Sequence, residues 1–122
     1  MNQHPIWKHI DENADRLRAM SDKVWAVPET CYGEHKSVAL HIEELEAQGF
    51  RVVKEAADIP TAVIGEAGEG GPVIGFLGEY DALAELSQVA DLPEQKALET
   101  GANGHGCGHN MLGSAAMLGQ LP

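Results

Sequence analysis

Apolar residues recur along the start of the chain at the three-and-four spacing of a helix with one buried face. They are Ile6, Ile10, Leu17 and Val24, with Ala14 and Met20 beside them. Pro5 suits a first helical turn, and Pro28 cannot continue the helix. A second helix is predicted from about Glu34 to Gln48, with Val38, Ile42 and Leu45 as its stripe and Gly49 placed to end it. Two short β-branched runs, Phe50–Lys54 and Thr61–Gly65, read as strands. The four glycines and the proline between Gly65 and Pro72 read as a tight hairpin connection. After it, Val73–Leu77 is nearly unbroken in apolar residues, as expected of a strand buried on both faces. Residues 84–104 carry no period, and a loop of that length is usually functional or disordered. Met111–Leu121 reads as an apolar helix without a polar face, the kind found inside a larger protein. The pattern predicts an α/β fold, a mixed sheet flanked by helices. Because nothing follows to cover the last helix, residues 1–122 are expected to be one part of a single, longer domain.

Composition narrows the function classes. Hydrophobic residues make up 43%, which suits a globular protein. Eight Lys and Arg against 19 Asp and Glu give a net charge of −11, a surface that repels phosphate backbones and argues against nucleic-acid binding. No apolar stretch approaches the roughly 20 residues of a membrane helix, and the first residues lack a signal-peptide pattern. A cytoplasmic protein with no membrane partner is therefore expected. Its cysteines, Cys31 and Cys107, are expected to be reduced. Cys31 reads as a packing residue in the turn from Pro28 to Gly33, and His4, His9, His35 and His41 as surface residues.

The segment with candidate chemistry is Gly104-His105-Gly106-Cys107-Gly108-His109-Asn110. In an extended backbone Cys107 and His109 point to the same side, and thiolate and imidazole together suit zinc and other first-row metals. Gly106 and Gly108 let the chain pass close to an ion. A helix beginning near Asn110 would stabilise a Cys107 thiolate through its amino end. Two ligands are only half of a catalytic site, and a glycine-rich turn with a buried cysteine and a satisfied histidine has the same spacing. Asp81 is the second candidate, just past the carboxyl end of the most buried strand, where open α/β sheets place their ligands. There it could bridge metals or hold a ligand histidine from behind. Glu79 would face the same side, with Tyr80 opposite. Dinucleotide, P-loop, nucleophile-elbow and H-E-x-x-H motifs are all absent.

Gly78-Glu79-Tyr80-Asp81-Ala82-Leu83 followed by Gly104–Asn110 resembles the M20 metallopeptidase family, most closely its amidohydrolase branch. Val27-Pro28-Glu29-Thr30 followed by Glu34 is similar to the family's start. The resemblance implies a partial M20-type catalytic domain that holds two divalent metal ions, zinc or manganese. It makes Cys107 and His109 metal ligands and Asp81 a catalytic carboxylate close to the metals. It implies hydrolysis of an amide bond in a small N-acyl amino acid, an aminobenzoyl-glutamate or a similar compound. In that chemistry the metals lower the pKa of bound water towards about 7 while a glutamate shuttles its proton. The family's paired-glutamate motif, later ligands and inserted dimerisation domain do not follow His109. The chain is thus expected to be the amino-terminal quarter of such an enzyme, inactive alone, and a homo- or hetero-oligomer at full length. The alternatives are a non-catalytic metal-binding or accessory subunit that docks with a partner, and a structural remnant in which Cys107 and His109 are idle.

Overall fold

The computed structural model describes residues 4–121. Three helices and a small sheet follow one another in the order α1 (Pro5–Trp25), α2 (His35–Ala47), β1 (Arg51–Lys54), β2 (Val63–Glu66) and α3 (His109–Leu118), with one 3-10 turn at Ala56–Asp58. The architecture is the α/β mixture the sequence predicts.

Helix α1 starts where expected. His4 Nδ1 accepts the Ile6 N–H at 3.2 Å, and Pro5 takes a first-turn position that needs no N–H partner. Only the second half of its apolar stripe is covered: Leu17, Met20, Ser21 and Val24 are buried, whereas Ile6 is 60% exposed. That buried half packs on α3, and α2 lies against α1 and β1. An Arg16–Glu44 ion pair joins α1 to α2. Leu17, Met20, Leu45, Phe50 and Met117 form the core, with Val52, Val63, Leu118 and Leu121 packed on it. Strands β1 and β2 are antiparallel, with Val52 opposite Gly65 and Val53 opposite Ile64. Alternation turns Val52 and Val63 to the core and leaves Val53 and Ile64 on the open face.

The amino end of α2 is capped from a distance. Glu29, in the turn after α1, accepts the N–H groups of Lys36 (3.0 Å) and Ser37 (2.8 Å) and the Ser37 hydroxyl (3.0 Å). A carboxylate there satisfies orphan donors and meets the positive end of the helix dipole.

Several expectations need correction. Val73–Leu77 is not a buried strand: Val73 is 91% and Leu77 85% exposed. A strand buried on both faces needs ladder partners at its edges and layers above and below, and no described strand pairs with this one. The glycines after Gly65 therefore do not close a hairpin; the hairpin is β1–β2, linked through residues 55–62. Among the described residues the regular sheet is antiparallel rather than mixed, and parallel pairing is confined to a single bridge between Thr30 and Ala82. His41 is buried, not superficial, and Cys31 is exposed, not packed. Residues 84–104 fold back on themselves, with Ser87 N–H bonded to Ala102 O (3.0 Å) and Val89 N–H to Lys96 O (2.8 Å).

Candidate functional site

Three non-adjacent stretches are laced side by side at the amino end of α2. Ala82 N–H donates to Glu29 O at 2.7 Å, and Leu83 and Gly104 exchange backbone bonds of 2.9 and 3.0 Å. Residues 82–83 are thus held from both edges, between the turn that caps α2 and the start of the glycine-rich segment. Asn103 Nδ2 donates to Pro28 O (3.1 Å), and His105 Nε2 bonds Val24 O (3.2 Å), tying that segment to the end of α1.

Immediately before the laced residues, 79–81 alternate in direction. Tyr80 turns to α2, where its ring meets His41 and its hydroxyl donates to Thr61 O. Burial, and secondarily the Glu34 carboxylate, push its phenol up to about 12, so it is a donor at every ordinary pH. Glu79 and Asp81 turn the other way, towards the start of α3. There Asp81 Oδ1 lies 2.7 Å from His109 Nδ1, and Glu79 Oε2 lies 3.6 Å from His109 Nε2. An imidazole between two carboxylates is the centre of the site. Because Asp81 can only accept, Nδ1 carries the proton and Nε2 is left with its lone pair when the ring is neutral.

The start of α3 is built to present that ring. Gly108 adopts φ 76°, a left-handed conformation that glycine enters without a Cβ clash, and its carbonyl accepts the Met111 and Leu112 N–H groups. Buried Asn110 donates to Ser21 Oγ at 3.0 Å and fixes α3 to α1. One turn on, Gly113 lies against His41 and the Glu79 carbonyl, where a side chain would collide.

Of the sequence-predicted residues, the structure brings Asp81 and His109 together, with Glu79 beside them. Cys107 is exposed, and the extended geometry expected to align it with His109 is replaced by a turn in which Gly108 N–H bonds His105 O at 3.1 Å. The helix begins at His109, so Cys107 lies just outside its amino end. His105 serves as a tie: its ring is partly buried, which lowers its pKa, while the bond to Val24 O pulls the other way. Its Nδ1 is buried without a protein partner. A cavity of about 660 Å³ adjoins this loop, between Trp25 and Pro28 on one side and Leu86, Val89 and Leu98 on the other, but Asp81, Cys107 and His109 do not line it.

Among the described residues no three His, Cys, Asp or Glu side chains converge as a metal-binding group. The donor chemistry nevertheless suits part of a centre. A carboxylate on one ring nitrogen leaves the other oriented and with a free lone pair, the usual support for a ligand histidine, and a thiol stands two residues away.

Sequence reasoning missed Glu29, His41 and Gly113. The clue to Glu29 was its place in the same Val27–Thr30 phrase that carries the family likeness. For His41 a clue existed as well: it lies between Val38 and Leu45 on α2, both buried. Gly113, a single glycine within an apolar helix, signalled a close approach.

No family model matches the chain. Over 115 residues, 91% of its length, it is 46% identical to one of the subunits of p-aminobenzoyl-glutamate hydrolase of Escherichia coli (strain K12). It is also similar to the Xaa-Arg dipeptidases of Mus musculus (33% over 125 residues, 92% of the chain) and Homo sapiens (34% over 126 residues, 90% of the chain). The chain spans about a quarter of the length of these relatives, 24% of the bacterial protein and 25% of each dipeptidase.

Proposed function

Since the chain belongs to the M20 family of metallopeptidases and amidohydrolases, we propose that the full-length protein hydrolyses the amide bond of a small N-acyl amino acid. The substrate favoured is p-aminobenzoyl-glutamate or a close analogue, after the name of the bacterial relative. The observation that carries this reading is the 2.7 Å contact between Asp81 and His109. It supplies an imidazole of fixed tautomer and orientation at the start of a helix, two residues along the chain from an exposed cysteine.

His109 and Cys107 are the residues proposed to hold divalent zinc or manganese, as part of a two-metal centre completed by the rest of the protein. Bound there, such ions supply Lewis acidity for polarising the substrate carbonyl and acidifying water. Asp81 accepts a hydrogen bond from His109 Nδ1–H and keeps the ring from turning. Glu79 adds a second negative charge at the far nitrogen, which favours a cation over an anion at that point. The protein is proposed to work in the cytoplasm; no helix among the described residues is long and apolar enough to cross a membrane. Assembly with like or unlike chains is proposed as well, because the bacterial relative is named as part of a multi-subunit enzyme.

The test is release of p-aminobenzoate and glutamate by the purified full-length protein, before and after chelation. Activity is expected to vanish with chelator, to return with zinc or manganese, and to fall at least a hundredfold in His109→Ala. Turnover that survives exhaustive chelation, or His109→Ala as active as wild type, would refute the proposal. The 122-residue chain alone is expected to show no hydrolysis.

A further inference from the structure

We infer that Tyr80 is a positioning residue: its hydroxyl on Thr61 O and its ring on His41 turn Glu79 and Asp81 towards His109. The inference rests on the proposed site at His109 and adds a residue to it on the opposite side of the chain. Ladder bonds hold this segment only from Ala82 onward, through Glu29 O and Gly104. Residues 79–81 have no strand partner among the described residues, so no described sheet fixes which way their side chains point. An extended chain free to rotate about its own axis would carry both carboxylates away from the imidazole together. Tyr80 is the one side chain of the three that projects to the other side, and a fixed tyrosine in the middle fixes its two neighbours by alternation.

The surfaces it grips are themselves immobile. His41 is 4% exposed, with Nδ1–H donating to Ser37 O at 2.8 Å, and its ring centroid lies 4.4 Å from that of Tyr80, tilted by 40°. Thr61 and Glu34 on the same side are buried too. Where His41 meets α3, the Glu79 carbonyl rests on Gly113, which has no side chain to push either away. The segment is therefore held where α2 and α3 meet, and Asp81 bonds His109 at the start of α3.

The test uses the 122-residue chain with ¹⁵N-labelled histidine, and reads the His109 tautomer from long-range ¹H–¹⁵N correlations at pH 8. Wild type is expected to show Nδ1–H as the major form. In Tyr80→Leu the Nε2–H form preferred in water should take over, and in Tyr80→Phe, which keeps the ring and loses the hydroxyl, the populations should fall between. Leu45→Ala, a core truncation of comparable cost, should leave the tautomer as in wild type. An unchanged His109 signal in either folded Tyr80 variant, or an equal change in Leu45→Ala, overturns the inference. Should Tyr80→Leu fail to fold, Tyr80→Phe alone decides. Titration with zinc alone is expected to show affinity about tenfold weaker in Tyr80→Leu. If wild type takes up no zinc, the proposed function is what fails, and the tautomer still judges Tyr80.

Discussion

Gly113→Ala tests the close packing behind the site most directly, because two effects of opposite sign compete at one atom. In an open helix position the change stabilises by about 1 kcal/mol, the difference in helix propensity. Here the added Cβ would sit 2.5 Å from His41 Nε2 and 3.0 Å from the Glu79 carbonyl oxygen. Neither neighbour yields easily: His41 is held by Ser37 O, and Glu79 O is main chain close to the ladder that begins at Ala82. Overpacking of this kind costs about 1–3 kcal/mol. The sum is a variant about 0–2 kcal/mol less stable than wild type. Urea unfolding followed by circular dichroism measures the difference, with a common slope for both proteins. Combining the change with His41→Ala removes the nearest atoms, so the double variant should be more stable than the two single losses added together. A Gly113→Ala protein stabilised by about 1 kcal/mol, with the Asp81–His109 bond intact, would refute the claim that α3 and residues 79–80 are in contact here.

Other perturbations address other parts of the structure. The pKa of His41 is lowered by burial, partly offset by its bond to Ser37, so its folded value lies below the ordinary 6.5. The unfolded chain then takes up the proton first, and stability that is complete above about pH 6.5 is lost as pH falls towards the folded value. Wild type should lose more stability than His41→Gln between pH 7 and 5, measured by urea midpoints; parallel losses would reject the burial. Asn110→Ala leaves buried Ser21 without its partner and should cost about 1–3 kcal/mol, read as a lower urea midpoint; a cost below a few tenths would deny the α1–α3 tie. Glu29→Ala should cost about 1–2 kcal/mol through the lost cap on α2 and raise amide exchange at Lys36 and Ser37. Unchanged exchange there would show the cap to be idle. Cys107→Ser and His109→Ala should each weaken zinc or manganese uptake by the chain, and equal uptake by all three proteins would reject the ligand assignment.

What the sequence made legible divides along a physical line. The helices could be read because each carries its own period and its own stops: Pro5 and Pro28 bracket α1, and Gly49 follows α2. Strands β1 and β2 could be read because they pair with each other within a few residues. Val73–Leu77 was misread because apolar content reports what a segment would bury, and burial takes neighbours that the described residues do not provide. His41 was misread for the opposite reason. A polar residue on a helix is ordinarily solvated, but this one shares the buried face of Val38 and Leu45 and meets Tyr80 and Gly113. In the site, alternation placed Glu79 and Asp81 on one face and Tyr80 on the other, and the structure has that arrangement. For Cys107 and His109 the assumed extended backbone gave way to a turn, since Gly108 enters the left-handed region and ends the regular alternation there.

That division bears on how the site is assembled. Among the described residues, those that orient His109 are Asp81 on one ring nitrogen, Gly108 setting the helix start, Asn110 pinning α3, and the ladder at Ala82 and Leu83 fixing where Asp81 stands. On the proposed function, an imidazole already held by protein bonds would have given up its rotational freedom, so a cation binding there would not have to supply that cost again. Among the described residues the exposed Cys107 has no such support, so on the proposed function its thiol would be ordered by the ion. The two candidate ligands should therefore respond differently to a metal: the His109 ring keeps its orientation, while the Cys107 turn changes. Backbone amide shifts on zinc addition should move most at 106–108 and least at 110–114, and the reverse order would show that the helix start, not the turn, adapts to the ion.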